Sequence, residues 1–186
     1  MGIPIHAEIK QPTKTVGQTS SLDNEEEVAP HAGNWLSADI DQQLKPIFAR
    51  LTKTVTLQVL TNGTPLSDQL LGFVTEFAGL DADHMKVEKQ AAPQNVKYLP
   101  QLRLLDDTGN DTGLHYAGIP TGHELNSLVL GIYNVAGPGQ TISPEMVERI
   151  KALPEATIKI GVSLTCHFCP DVVAACQRMA ALNPKI

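Results

Sequence analysis

Cysteine is scarce in this chain, with three in 186 residues, at positions 166, 169 and 176. That scarcity excludes the disulfide scaffold of small secreted domains. Aromatic residues are few, and the acidic excess is modest: 14 Lys and Arg against 20 Asp and Glu, a net charge of −6. No stretch is basic enough for a nucleic-acid surface. No apolar run approaches the roughly 20 residues that span a bilayer, and no apolar h-region marks a secretory signal. A Gly-x-Gly-x-x-Gly cradle for a dinucleotide is also missing. What remains is an ordinary globular composition, expected in the cytoplasm. In that reducing compartment a disulfide is catalytic rather than structural.

Against that background one stretch stands out: Thr165-Cys166-His167-Phe168-Cys169-Pro170. A β-type apolar run, Ala156 to Leu164, precedes it, and a run with helical spacing, Asp171 to Leu182, follows. A C-x-x-C at a strand-to-helix junction is suited to redox chemistry. One helical turn keeps the sulfurs close enough to bridge, and the helix start offers unpaired N–H groups and partial positive charge. Cys166, the first and more exposed position, is expected to be the reactive thiolate, with Cys169 one turn in as the resolving partner. His167 between them adds positive charge beside the attacking sulfur. Structural zinc is the rival reading, but a tetrahedral site wants a second ligand pair, and neither a second C-x-x-C nor a His-x3–5-His occurs. Haem attachment would need His where Pro170 stands. Cys176 lies two turns beyond Cys169; it reads as a small buried hydrophobe or, alternatively, a regulatory thiol.

Val162 to Val173, which contains Cys-His-Phe-Cys-Pro-Asp-Val-Val, and Met179 to Ile186 resemble the N-terminal domain of the alkyl hydroperoxide reductase flavoprotein subunit. The segment Ala117 to Leu130, with Gly122-His123-Glu124 and Ser127-Leu128-Val129-Leu130, resembles the same family. The likeness runs from about Trp35 to Ile186.

Along the chain, residues 1–34 are polar and broken by Pro4, Pro12 and Pro30, and read as a mobile extension. Ser37 is a good N-cap for a helix with an apolar face of Leu36, Ile40, Leu44, Ile47, Phe48 and Leu51. Val55, Leu57 and Val59 alternate as in a strand stopped by Asn62-Gly63. Leu66 to Phe77 spells a second helix ended near Gly79. Strands are expected at Met85–Glu88, Leu99–Leu105 and Leu114–Ala117, then a helix from Thr121 to Ala136. Helix, strand, helix, three strands, helix is the order of a thioredoxin-like fold. This unit, residues 35–142, has Leu60-Thr61-Asn62-Gly63 where the active cysteines would sit, so it cannot exchange disulfides. Its Leu99-Pro100 stands at the place where such folds put a cis-proline. A second unit, residues 143–186, opens with Ser143-Pro144-Glu145, a helix-start signature with Met146, Ile150 and Leu153 facing inward. Strand Ile158–Leu164, the cysteine turn and its helix follow. The fold class is therefore α/β, tandem thioredoxin-like folds, the second expected to be truncated after its C-x-x-C helix. A strand pairing with the first half or with nothing leaves an edge and an apolar face open, which predicts low stability or self-association.

Thr121-x-x-Glu124 reads as a capping box. The resemblance implies a second role for Glu124, as an acid near the dithiol that influences its protonation; His123 reads as a surface or hydrogen-bonded residue. The resemblance further implies a thiol–disulfide relay. Cys166 attacks the disulfide of a peroxiredoxin-type peroxidase and Cys169 resolves the mixed disulfide, with electrons from a flavoprotein reductase portion. FAD and NADH or NADPH belong to that portion, and no cofactor site is assigned here. The alternatives are an inactive docking module and a zinc-binding interaction domain.

Overall fold

The computed structural model describes residues 35–186; the expected N-terminal extension lies outside the described residues. Ser37 opens helix α1, Ala38–Phe48, its hydroxyl accepting from the Ile40 N–H at 3.4 Å. The α1 face of Ile40, Leu44 and Phe48 is buried. Strand β1, Val55–Thr61, alternates as its sequence demands and turns at Gly63, which takes a φ of +75°. Helix α2, Pro65–Ala78, buries Leu70, Phe73, Val74 and Phe77. Phe48 and Phe77 meet edge to face at 5.8 Å. Leu66 does not share that burial and stays exposed.

A short 3-10 turn, Gly79–Asp81, leads to β2, Met85–Ala91, then β3, Gln101–Leu105, and β4, Asp111–Ala117. β2 is longer than expected, and β4 begins three residues earlier. The Leu99–Pro100 bond is cis, and β3 begins just after it. The sheet order is β2-β1-β3-β4, with β1 parallel to β2 and antiparallel to β3, and β3 antiparallel to β4. Edge strand β2 keeps Lys86, Glu88 and Lys89 in solvent, charges that discourage edge-to-edge pairing. Helix α3, Glu124–Ala136, buries Leu125, Leu128, Val129 and Ile132 against β1 and β3. Each such Leu, Val or Phe contributes about 1.5–3 kcal/mol. This is the thioredoxin-like order expected, and no cysteine lies within it.

Helix α4, Pro144–Lys151, has the expected cap: the Ser143 hydroxyl accepts from the Met146 N–H at 3.2 Å. Of its apolar side chains Ile150 is buried, but Met146 and Leu153, expected to face inward, are exposed. Helix α5, Cys169–Leu182, packs on α3 and β4, with α4 against it. Asn183, nearly fully buried, ends α5 and holds α4 to it by donating to the carbonyls of Ile150 (2.9 Å) and Leu153 (3.2 Å).

The expected strand Ile158–Leu164 does not form. Among the described residues it joins no β-ladder, and Ile158, Ile160, Val162 and Leu164 are 37–45% exposed. A strand needs a neighbour to take its backbone bonds, and this run does not pair with β4. The run is pinned at its ends instead: Ala156 N–H donates to Lys185 O (2.9 Å), and His123 N–H to Leu164 O (3.2 Å).

Candidate redox site

Helix α5 begins at Cys169, two residues earlier than its apolar spacing suggests, with Phe168 at the N-cap and Pro170 in the first turn. Cys169 is therefore the first helical residue rather than one turn in, and Cys166 lies in the turn ahead of the helix. The Cys166 N–H donates to Ser163 O at 2.9 Å, which curls the chain back toward the helix. Cys166 and Cys169 are joined as a disulfide, their Cα atoms 5.5 Å apart. The Cys169 N–H points at Cys166 Sγ, 3.2 Å away. That N–H belongs to the first turn of α5, one of the donors a helix leaves unpaired. In the reduced pair it is placed to stabilise a thiolate at Cys166. Both cysteines are half-buried and His167 is exposed.

His167 meets a residue of the cysteine-free unit. Its ring and that of His123 lie 4.5 Å apart, tilted by 59°. His123 is exposed as expected, yet it is joined to the cysteine turn by ring contact and by its backbone bond to Leu164 O. Gly122 makes that approach possible. Its φ is +58°, and a Cβ there would stand 2.7 Å from Leu164 O.

The expected capping box at Thr121 is not present. Helix α3 starts at Glu124, His123 takes the N-cap place, and no side chain caps the helix. The Thr121 carbonyl accepts from the Glu124 N–H at 3.1 Å, a single turn ahead of the helix, while the His123 N–H goes to Leu164 O. Glu124 is 4% exposed, and its Oε1 is buried without a hydrogen-bond partner. Burial, and after it the Glu124 charge, push the Tyr116 phenol well above its ordinary value. Tyr116, on β4, also receives a 2.7 Å hydrogen bond from Gln177 Nε2 of α5. Tyr116 thus links β4 to the helix of the cysteines, and the Glu124 charge acts on the same phenol. Neither Tyr116 nor Gln177 stands out in the sequence. The signal there is a Gln amid the small buried positions Ala174 and Ala180 of α5.

Cys176 is half-buried rather than buried, and desolvation raises its thiol pKa. Where cysteines would sit in the first unit, Asn62 Oδ1 accepts from the hydroxyls of Thr64 and Ser67, both at 2.7 Å. No group of three or more His, Cys, Asp or Glu among the described residues could hold a metal ion. No helix among them is long and apolar enough to cross a membrane.

No protein-family model matches the chain. Among curated relatives, the NADH dehydrogenase of Bacillus subtilis is 33% identical over 152 residues, which is 81% of this chain and 29% of that protein. The alkyl hydroperoxide reductase AhpF of Staphylococcus epidermidis is 34% identical over 152 residues, with the same two shares. The chain thus spans less than a third of the length of these relatives. Among solved structures, the alkylhydroperoxide reductase AhpF of Enterococcus faecalis superposes with a TM-score of 0.77 at 46% identity, covering 81% of this chain and 76% of that one. The NTD_N/C domain of the Enterococcus faecalis protein gives 0.74 at 43% identity with the same coverage. Superposition at 46% and 43% identity over most of both chains settles the relationship: the chain belongs to the AhpF family of alkyl hydroperoxide reductases, matching its N-terminal thioredoxin-like domain.

Proposed function

We propose that this thiol–disulfide redox module relays electrons to a peroxiredoxin-type peroxidase and receives them from a flavoprotein reductase portion. In this reading the Cys166 thiolate attacks the partner disulfide, forms a mixed disulfide and expels the partner's second sulfur as a thiolate. Cys169 gives up its proton and attacks Cys166 Sγ, which restores the Cys166–Cys169 bond and releases the partner's first sulfur. Two electrons leave the dithiol, and the partner gains two thiols once it has taken up two protons. His167 adds positive charge beside the attacking sulfur when protonated, and Glu124 is the acid that influences the pair's protonation. The first unit, residues 35–142, serves as platform and wall; residues 143–186 carry the chemistry; residues 1–34 are an extension. FAD and NADH or NADPH would lie outside these residues, which offer no Gly-x-Gly-x-x-Gly cradle.

The observation that carries this reading is the Cys166–Cys169 pair at the start of α5, with a first-turn N–H directed at Cys166 Sγ. Alkylation of the reduced chain as a function of pH tests it, with Cys166→Ser as the control. The fast-reacting thiol is expected to ionise well below the ~8.5 of free cysteine, and to vanish in the control. Glu124→Gln is expected to move that titration. A Cys166 that ionises like free cysteine, or a dithiol that glutathione disulfide cannot reoxidise, leaves an inactive docking module in its place.

A further inference from the structure

Phe168 stands between the two cysteines and is 81% exposed, the most exposed large apolar side chain among the described residues. Nothing in the local fold requires it. At the N-cap of α5 it makes no capping bond, and thiol–disulfide exchange needs no aromatic there. Four residues on, Val172 is also exposed, and residues at that spacing are neighbours on a helix surface. From Leu164 to Pro170 the sequence carries no acid, Lys or Arg; Thr165 and His167 are the exposed polar side chains of that turn, and Asp171 follows it in the first turn of α5.

The covalent intermediate decides what must meet this surface. In a mixed disulfide the two Cα atoms lie about 5.5–6 Å apart, and the partner's next residues follow at about 3.8 Å each. The side chains flanking the partner's cysteine are therefore held against residues within two or three positions of Cys166, and Phe168 is two away. We infer that Phe168, supported by Val172, docks an extended segment whose disulfide cysteine is flanked by an apolar side chain, and selects it over a polar-flanked one. This rests on the exchange reading above. Phe168 acts by holding the partner while Cys166 attacks, and takes no part in the transfer of electrons.

The test uses the full chain, reduced with dithiothreitol and desalted, against three disulfides. Two are peptides of equal length with cysteine flanked on both sides by Leu or by Ser; the third is Ellman's reagent, which has no flanking chain. The wild type is expected to react with the Leu-flanked peptide about tenfold faster than with the Ser-flanked one, the scale expected when a leucine side chain leaves water. Phe168→Ser should cut that preference to about twofold or less, a ratio of two peptide rates that a change in thiol reactivity alone, read separately with Ellman's reagent, leaves unmoved; Val172→Ser should reduce the preference partway. Normal reaction with Ellman's reagent but no preference in the wild type overturns the docking surface and spares the exchange reading. A preference that survives Phe168→Ser, or a fall with Ellman's reagent in step with the peptides, also overturns it. A wild-type dithiol that reacts with none of the three sinks the exchange reading and the docking surface together.

Discussion

Gly122 sets a measurable link between the cysteine-free unit and the redox turn. Two glycines near it differ in one respect: Gly118 (φ +92°) would place a Cβ in open space, whereas Gly122 (φ +58°) would place one 2.7 Å from Leu164 O and 3.3 Å from Leu164 Cβ. Alanine at either position meets the left-handed backbone penalty, about 1–2 kcal/mol. At Gly122 it also forces Leu164 away and breaks the hydrogen bond from His123 N–H to Leu164 O, a net loss of about 0.5–1.5 kcal/mol more. Gly118→Ala is thus expected to destabilise by about 1–2 kcal/mol and Gly122→Ala by about 1.5–3.5 kcal/mol in urea unfolding. Amide exchange supplies the local readout: the His123 N–H should lose protection in Gly122→Ala and keep it in Gly118→Ala. Equal losses in the two variants, with the His123 amide protected in both, would refute the contact.

Tyr116→Phe removes the acceptor for Gln177 Nε2 and leaves a buried amide unpaired, a loss of about 1–3 kcal/mol at neutral pH. The phenol is raised in the folded chain, so above its ordinary value of 10 the unfolded chain releases a proton that the folded chain retains. Wild-type stability is therefore full below pH 10 and falls as pH rises beyond it. The gap between wild type and Tyr116→Phe should narrow in that alkaline window, and urea curves on both sides of it that show a constant gap contradict the raised phenol. Asn183→Ala is expected to cost about 1–3 kcal/mol, because the carbonyls of Ile150 and Leu153 lose their donor; α4 should then exchange its amides faster than α3. The exposed run invites self-association, so sedimentation should show oligomers at raised concentration that the double variant Ile160→Lys, Val162→Lys abolishes. A monomeric wild type rejects that expectation.

Local chemistry made much of this chain readable from its letters. Ser37 and Ser143 start helices because their hydroxyls take an N–H three residues on, and the alternation of Val55, Leu57 and Val59 commits β1 to a two-sided sheet. The C-x-x-C needed only its spacing and the helix after it. What the sequence could not decide is everything that depends on a neighbour distant in the chain. The run Ile158–Leu164 has the composition of a strand, but a strand exists only where another backbone takes its hydrogen bonds, and none does among the described residues. Thr121-x-x-Glu124 satisfies the pattern of a capping box, but α3 starts at Glu124 without a side-chain cap, and the His123 N–H bonds a carbonyl distant in the chain, Leu164 O. The meeting of His123 with His167, and of Tyr116 with Gln177, joins positions 44 and 61 residues apart. Such pairs are fixed by how α5 packs on α3 and β4, and side-chain periodicity carries no information about which faces of two separate elements will touch.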